Sequence, residues 1–145
     1  MKHRMAVTVL ALIGFFVAAY LLLWKIGLFS ELACSTGGCE TVQTSEYSDF
    51  FGLPVALYGV AGFVSMFVVG LVGLQPRWLE RREPTVLLIG LSGVGVAFSA
   101  YLTYLEASVI HAWCQWCIAS AIIVTSVFAI SLFGLVTWVV DEVEE

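Results

Sequence analysis

Trp113-Cys114-Gln115-Trp116-Cys117 opens directly onto Ile118–Val140, a run with no charged residue. About 20 apolar residues suffice to carry a helix across ~30 Å of hydrocarbon. The run therefore reads as a membrane helix with two thiols at its mouth. Cys-x-x-Cys is a common redox unit, because its geometry and surroundings tune thiol acidity, and it is also half of many zinc sites. Only one other cysteine pair exists in the chain, Cys34 and Cys39.

Composition extends this reading to the whole chain. Hydrophobic residues make up 61% of the 145 residues and charged residues 12%, against about 25% charged in an ordinary soluble domain. Mean hydropathy is +1.00. One small core cannot hide that much apolar surface, so it must face lipid. Four segments are long enough to span: Met5–Trp24, Val55–Leu74, Thr85–Ile110 and Ile118–Val140. The expected fold is an all-α membrane protein, a four-transmembrane-helix bundle forming one domain over residues 1–145. Glycines such as Gly14, Gly59, Gly62 and Gly95 would let the helices approach closely. The net charge of −5 says little about partners, since four acids sit in the tail Asp141, Glu142, Glu144 and Glu145. No basic stripe suggests nucleic acid.

Basic residues set the expected orientation. Lys2 and Arg4 precede the first segment, and Arg77, Arg81 and Arg82 lie between the second and third. Both termini are then cytoplasmic in a multi-pass protein of the cell membrane, and all four cysteines lie at the extracytoplasmic face, where disulfides persist. Lys25, beside Trp24, is expected to reach the headgroups. Lys2-His3-Arg4 and the run behind it look like a targeting signal, but the run is too long for one, so it is expected to stay as a helix.

The first outer loop, from about Lys25 to Pro54, is the long polar stretch. In Cys34-Ser35-Thr36-Gly37-Gly38-Cys39, two glycines permit unusual backbone angles. Val42, Tyr47, Phe50 and Phe51 against Glu40, Gln43, Glu46 and Asp49 suggest a short interfacial helix from Glu40 to Phe51. Cys114 and Cys117 stand at a helix N-terminus, whose partial positive charge favours a thiolate. Trp113 and Trp116 offer flat aromatic faces beside them. His111 is either a proton relay or a solvated interface residue. Glu106, near the outer end of its segment, either reaches the headgroups or has a function, as an ionisable residue in a membrane segment often does.

The ordered set Cys34-x4-Cys39-x5-Ser45-x6-Gly52-x-Pro54, then two segments, then Cys114-x2-Cys117 opening the last one, resembles the vitamin K epoxide reductase family. The resemblance covers nearly the whole chain and is to the prokaryotic branch, here without a fused thioredoxin-like domain. It implies a thiol:quinone oxidoreductase that generates disulfide bonds. Cys34 and Cys39 would be the shuttle pair serving a separate thioredoxin-like, DsbA-like dithiol protein. Cys114 and Cys117 would be the pair beside a quinone of menaquinone, ubiquinone or vitamin K type. The expected catalytic set is Cys34, Cys39, Cys114 and Cys117. Expected quinone contacts are Cys117, Ser45, Phe51 and Trp116, and no metal ligand is expected. The DsbB family also has four helices, but carries its Cys-x-x-Cys in the first outer loop. Vertebrate relatives have a tyrosine four residues after the last cysteine, where this chain has Ala121, and a wider first pair. Reduction of a plain quinone is therefore expected rather than of an epoxide.

Two other readings compete: a zinc ion held by all four thiolates, or a structural tetraspan protein whose disulfides only brace its loops.

Overall fold

Stripes of small and apolar residues, one on each long helix, hold the bundle together. The computed structural model describes residues 2–31, 33–35 and 37–145, so Thr36 of the first cysteine motif lies outside the described residues. In chain order the elements are α1 (Lys2–Lys25), the short helix α2 (Cys39–Thr44), a 3-10 turn (Glu46–Ser48), strands β1 (Asp49–Phe50) and β2 (Leu53–Pro54), α3 (Val55–Gly73), α4 (Glu83–Leu105) with a widened π turn after it (Glu106–Ile110), and α5 (Gln115–Glu144). Helix α1 buries Val7, Ala11, Gly14, Ala18 and Leu21. Helix α5 buries Val124, Val127, Ser131 and Gly134. Steps of three and four keep one stripe of a 3.6-residue helix turned inward. Lipid tails are as apolar as leucine, so close packing rather than water exclusion joins such helices. At Gly14 the Phe63 ring lies where any Cβ would sit. At Gly95 an added Cβ would come within 2.7 Å of Val124.

The four long helices have the length and apolar composition to cross a membrane, and the protein is a multi-pass membrane protein. Helix α1 packs on α3 and α5, and α4 packs on the same two. Helix α1 ends, α3 begins, α4 ends and α5 begins at one end of the bundle, which gathers all four cysteines there.

Three local expectations change. The interfacial helix is shorter than Glu40–Phe51. It stops at Thr44, where the Ser45 hydroxyl donates to the Val42 carbonyl at 2.8 Å. The chain then turns, and β1 pairs with β2 in the register Asp49↔Pro54 and Phe50↔Leu53. Phe51 and Gly52 join the strands with φ of 53° and 78°, two positive angles of the kind a two-residue hairpin turn needs. The apparent helical pattern combined residues from three separate elements.

Arg4 does not flank α1 but belongs to it. It is 5% exposed and donates to the carbonyls of Gly73 at 2.6 Å, Trp78 at 2.8 Å and Arg81 at 2.6 Å. Arg4 thus closes the end of α3 and the loop to α4, where unpaired carbonyls would cost several kcal/mol each away from water. Lys25 likewise turns inward rather than to the headgroups. Its ammonium donates to the Gln43 carbonyl at 2.5 Å and the Ser48 hydroxyl at 2.8 Å, with Asp49 at 3.8 Å.

Candidate active site

Cys34 and Cys39 are joined by a disulfide, with Cα atoms 6.0 Å apart. Cys39 is the first residue of α2, and Gly38 before it lies against the backbone of Trp113. A Cβ on Gly38 would stand 2.6 Å from the Trp113 carbonyl oxygen and 2.8 Å from its nitrogen. Only glycine permits that approach, which seats the start of α2 beside the residues leading into Cys114. Cys39 and Cys114 are both 0% exposed and share one apolar cluster with Leu21, Val42 and Ala56.

The two residues between Cys114 and Cys117 hold the loop around Cys34. The Ser35 amide donates to Gln115 Oε1 at 2.8 Å, and Trp116 Nε1 donates to the Ala33 carbonyl at 2.6 Å. The Tyr20 hydroxyl accepts from the Ala33 amide at 3.1 Å, and its ring lies 5.1 Å from that of Trp116. Each cysteine pair is thus fastened to the other through backbone groups.

Cys114 and Cys117 are free thiols. Two polar side chains from other elements converge on them. Gln43, 6% exposed, points its amide nitrogen at Cys117 Sγ (3.3 Å) and, less closely, at Cys114 Sγ (4.0 Å). Glu106, 3% exposed, accepts the Cys114 amide on Oε2 at 3.2 Å. Its carboxyl is also a hydrogen-bonding neighbour of the Cys117 side chain. Cys114 stands just before α5. A hydrogen bond from the Cys117 thiol, helped by the amides of Cys117 and Trp116 and opposed by burial, brings its pKa down to about 7.

Cys117 also lines a cavity of about 130 Å³ in the middle of the bundle. An apolar cavity of ~150 Å³ accepts benzene, so this one has the scale of a single six-membered ring. Its walls are apolar, with Phe63, Met66, Phe98 and Val124 among them, and Gln43, Glu106 and Cys117 also line it. Gly62 lines it too, and a Cβ there would meet no atom within 4 Å. A quinone head needs a flat apolar slot with hydrogen-bonding groups at its oxygens and a thiol at its ring, and these residues fit that need. A second cavity of about 20 Å³ lies beside it, lined by Ser45 and Ser48 and sharing the same Gln43, Glu106 and Cys117. It has room for one water, for which ~10–15 Å³ is enough.

The expected quinone contacts fall in different places. Cys117 lines both cavities, and Ser45 lines the smaller one. Phe51 is 88% exposed at the hairpin tip and lines neither, whereas its neighbour Phe50 packs on Tyr58 and Phe98 of the larger cavity wall. Trp116 faces the Cys34 loop, as above. His111 is exposed, with a left-handed φ of 55° that ends the π turn.

Gln43 reads from sequence as part of a polar face, yet it lies four residues after Cys39, the spacing that puts two side chains on one helix face. For Glu106 the sequence leaves headgroup contact and a functional role both open, and the structure places its carboxyl inward, on the Cys114 amide.

The sequence model of the Vitamin K epoxide reductase family matches residues 5–132. That span takes in both cysteine pairs and the cavity between the helices, and this chain belongs to the vitamin K epoxide reductase family, whose members are quinone-reducing, disulfide-forming oxidoreductases.

Proposed function

We propose that this protein oxidises the dithiol of a separate thioredoxin-like, DsbA-like protein and passes the electrons to a quinone in the bundle cavity. A partner thiolate attacks Cys34 Sγ, breaks the Cys34–Cys39 bond and releases Cys39 as a thiolate. The partner's second thiol resolves that mixed disulfide and leaves oxidised. Cys39 then attacks Cys114 Sγ of an oxidised Cys114–Cys117 pair and frees Cys117 as the leaving thiolate. Attack by Cys34 on Cys39 restores the first disulfide and leaves Cys114 and Cys117 reduced. Bound quinone supplies a two-electron, two-proton sink for that reduced pair. Gln43 directs an N–H at Cys117 and would steady the leaving thiolate, and the cavity walls would keep water from the ring.

One observation carries this reading: Cys39 and Cys114 share a buried cluster, while Cys117 faces a ring-sized cavity. The arrangement of a bonded first pair and free second pair corresponds to the step at which electrons have already moved inward. We take both termini as cytoplasmic and the cysteine end as extracytoplasmic, from the basic residues Lys2, Arg77, Arg81 and Arg82.

In right-side-out vesicles supplied with quinone, the protein should oxidise a reduced thioredoxin-like dithiol added outside. Oxidation only of dithiol trapped inside would reverse the orientation. No oxidation on either side would end the quinone reading.

A further inference from the structure

Reducing a quinone takes protons as well as electrons, and the thiol steps above name no side chain that moves the protons. Among the described residues lining the larger cavity, Glu106, Cys117 and Tyr58 carry ionisable side chains, and Glu106 and Cys117 are the two that contact each other. We propose that Glu106 carries protons between Cys117 and the quinone, a role that rests on the functional reading above.

The geometry supports it in three ways. Glu106 is buried, yet it neighbours the Cys117 thiol rather than a fixed cation. It accepts the Cys114 amide at 3.2 Å, which fixes the carboxyl in place. It lines both the ring-sized cavity and the smaller one beside Ser45 and Ser48, so its carboxyl stands at the space proposed for the quinone. The π turn that begins at Glu106 is a local widening of a kind frequent at functional sites.

The chemistry balances. The carboxylate takes the proton of Cys117 and delivers it to a quinone oxygen. The Cys114 proton follows by the same carboxyl to the second oxygen. Two S–H bonds break, the Cys114–Cys117 bond forms, and two electrons and two protons leave as hydroquinone. Glu106 ends as the carboxylate it was at the start. Around it stand Cys114 just before α5, Cys117 of α5 and the neutral Gln43 of α2, with Tyr58 of α3 on the larger cavity and Tyr47 on the smaller one. The nearby cation, Lys25 of α1, is engaged by the Gln43 carbonyl, Ser48 and Asp49.

The test combines quinone reduction with a titration made without quinone. Glu106→Gln keeps an oxygen for the Cys114 amide but cannot carry a proton, so the quinone step should slow by about 100-fold or more. Folding of that variant is read from the Cys39–Cys114 mixed disulfide that Cys34→Ala should trap. In quinone-free Cys114→Ser protein, alkylation of Cys117 against pH should follow two linked steps, as expected for groups that share a proton. Adding Glu106→Gln should leave one step. Glu106→Asp, which keeps a carboxyl, should retain both steps and part of the rate. Wild-type protein that reduces no quinone ends the functional reading and this proposal with it. Wild type and Glu106→Gln reducing quinone equally fast end the proposal alone. A single step in the Cys114→Ser titration, with Glu106 intact, overturns it even if the Gln variant does not fold.

Discussion

Two buried charged side chains sit at opposite ends of this bundle, and they differ in what surrounds them. Arg4, at the end away from the cysteines, is 5% exposed and Glu106, at the cysteine end, is 3% exposed. Arg4 meets three backbone carbonyls, those of Gly73, Trp78 and Arg81. None of them can change charge, so Arg4 acts as a cap that is the same in every state of the protein. Glu106 meets the Cys114 amide and the Cys117 side chain, and it lines two cavities. In the proposed reaction its thiol partner gains and loses a proton with each turnover. Burial of a charge in a membrane bundle thus marks structure when the partners are fixed and chemistry when they are not.

The contrast can be broken most decisively at the Arg4 end. Arg4→Leu leaves three carbonyls unpaired and should destabilise the protein by about 3–5 kcal/mol, given the usual cost of losing hydrogen bonds to a buried charge. Unfolding in detergent would measure this. The pH profile of the quinone step in the surviving folded protein should not move; a moved profile would erase the distinction between the two ends.

A smaller effect is expected at the cavity that Glu106 faces. A Cβ on Gly62 meets no neighbouring atom, so Gly62→Leu should fit the bundle and project into the space for the ring. The quinone KM should rise by about tenfold, the equivalent of ~1.4 kcal/mol, with little change in unfolding temperature. An unchanged KM would mean that the ring binds elsewhere.

The smallest expected effect concerns the thiols themselves. Hydrogen bonding from Cys117 is the first cause of the lowered pKa of Cys114, about 7. Cys117→Ala removes that donor and should move the midpoint of Cys114 alkylation upward, toward or past the ordinary thiol value of ~8.5. At neutral pH the variant should therefore be alkylated more slowly. A midpoint that stays near 7 would assign the acidity to the amides at the start of α5 instead.

Much of this architecture could be read from the chain alone. Apolar runs of membrane length leave few alternatives to helices, because lipid offers backbone groups no partners, so four spans followed from composition and length. The positions of Cys34, Cys39, Cys114 and Cys117 at the ends of those spans put both pairs at one end of the bundle, since consecutive spans reverse direction. Sequence could not say which side chains meet there. Gln43 and Glu106 lie 63 residues apart, by their numbering in the chain, and only helix packing brings both to Cys117. Trp116 looked like a ring contact because it is aromatic and adjacent, but the twist of α5 turns its indole to the Ala33 carbonyl. Arg4 and Lys25 looked like surface charges because charge near a span end usually meets headgroups. Unpaired carbonyls at Gly73 and Gln43, created by where α3 ends and where α2 docks, drew them inward instead. Periodicity and charge are local properties of a helix, whereas the demand for a hydrogen-bond partner arises only when another element arrives.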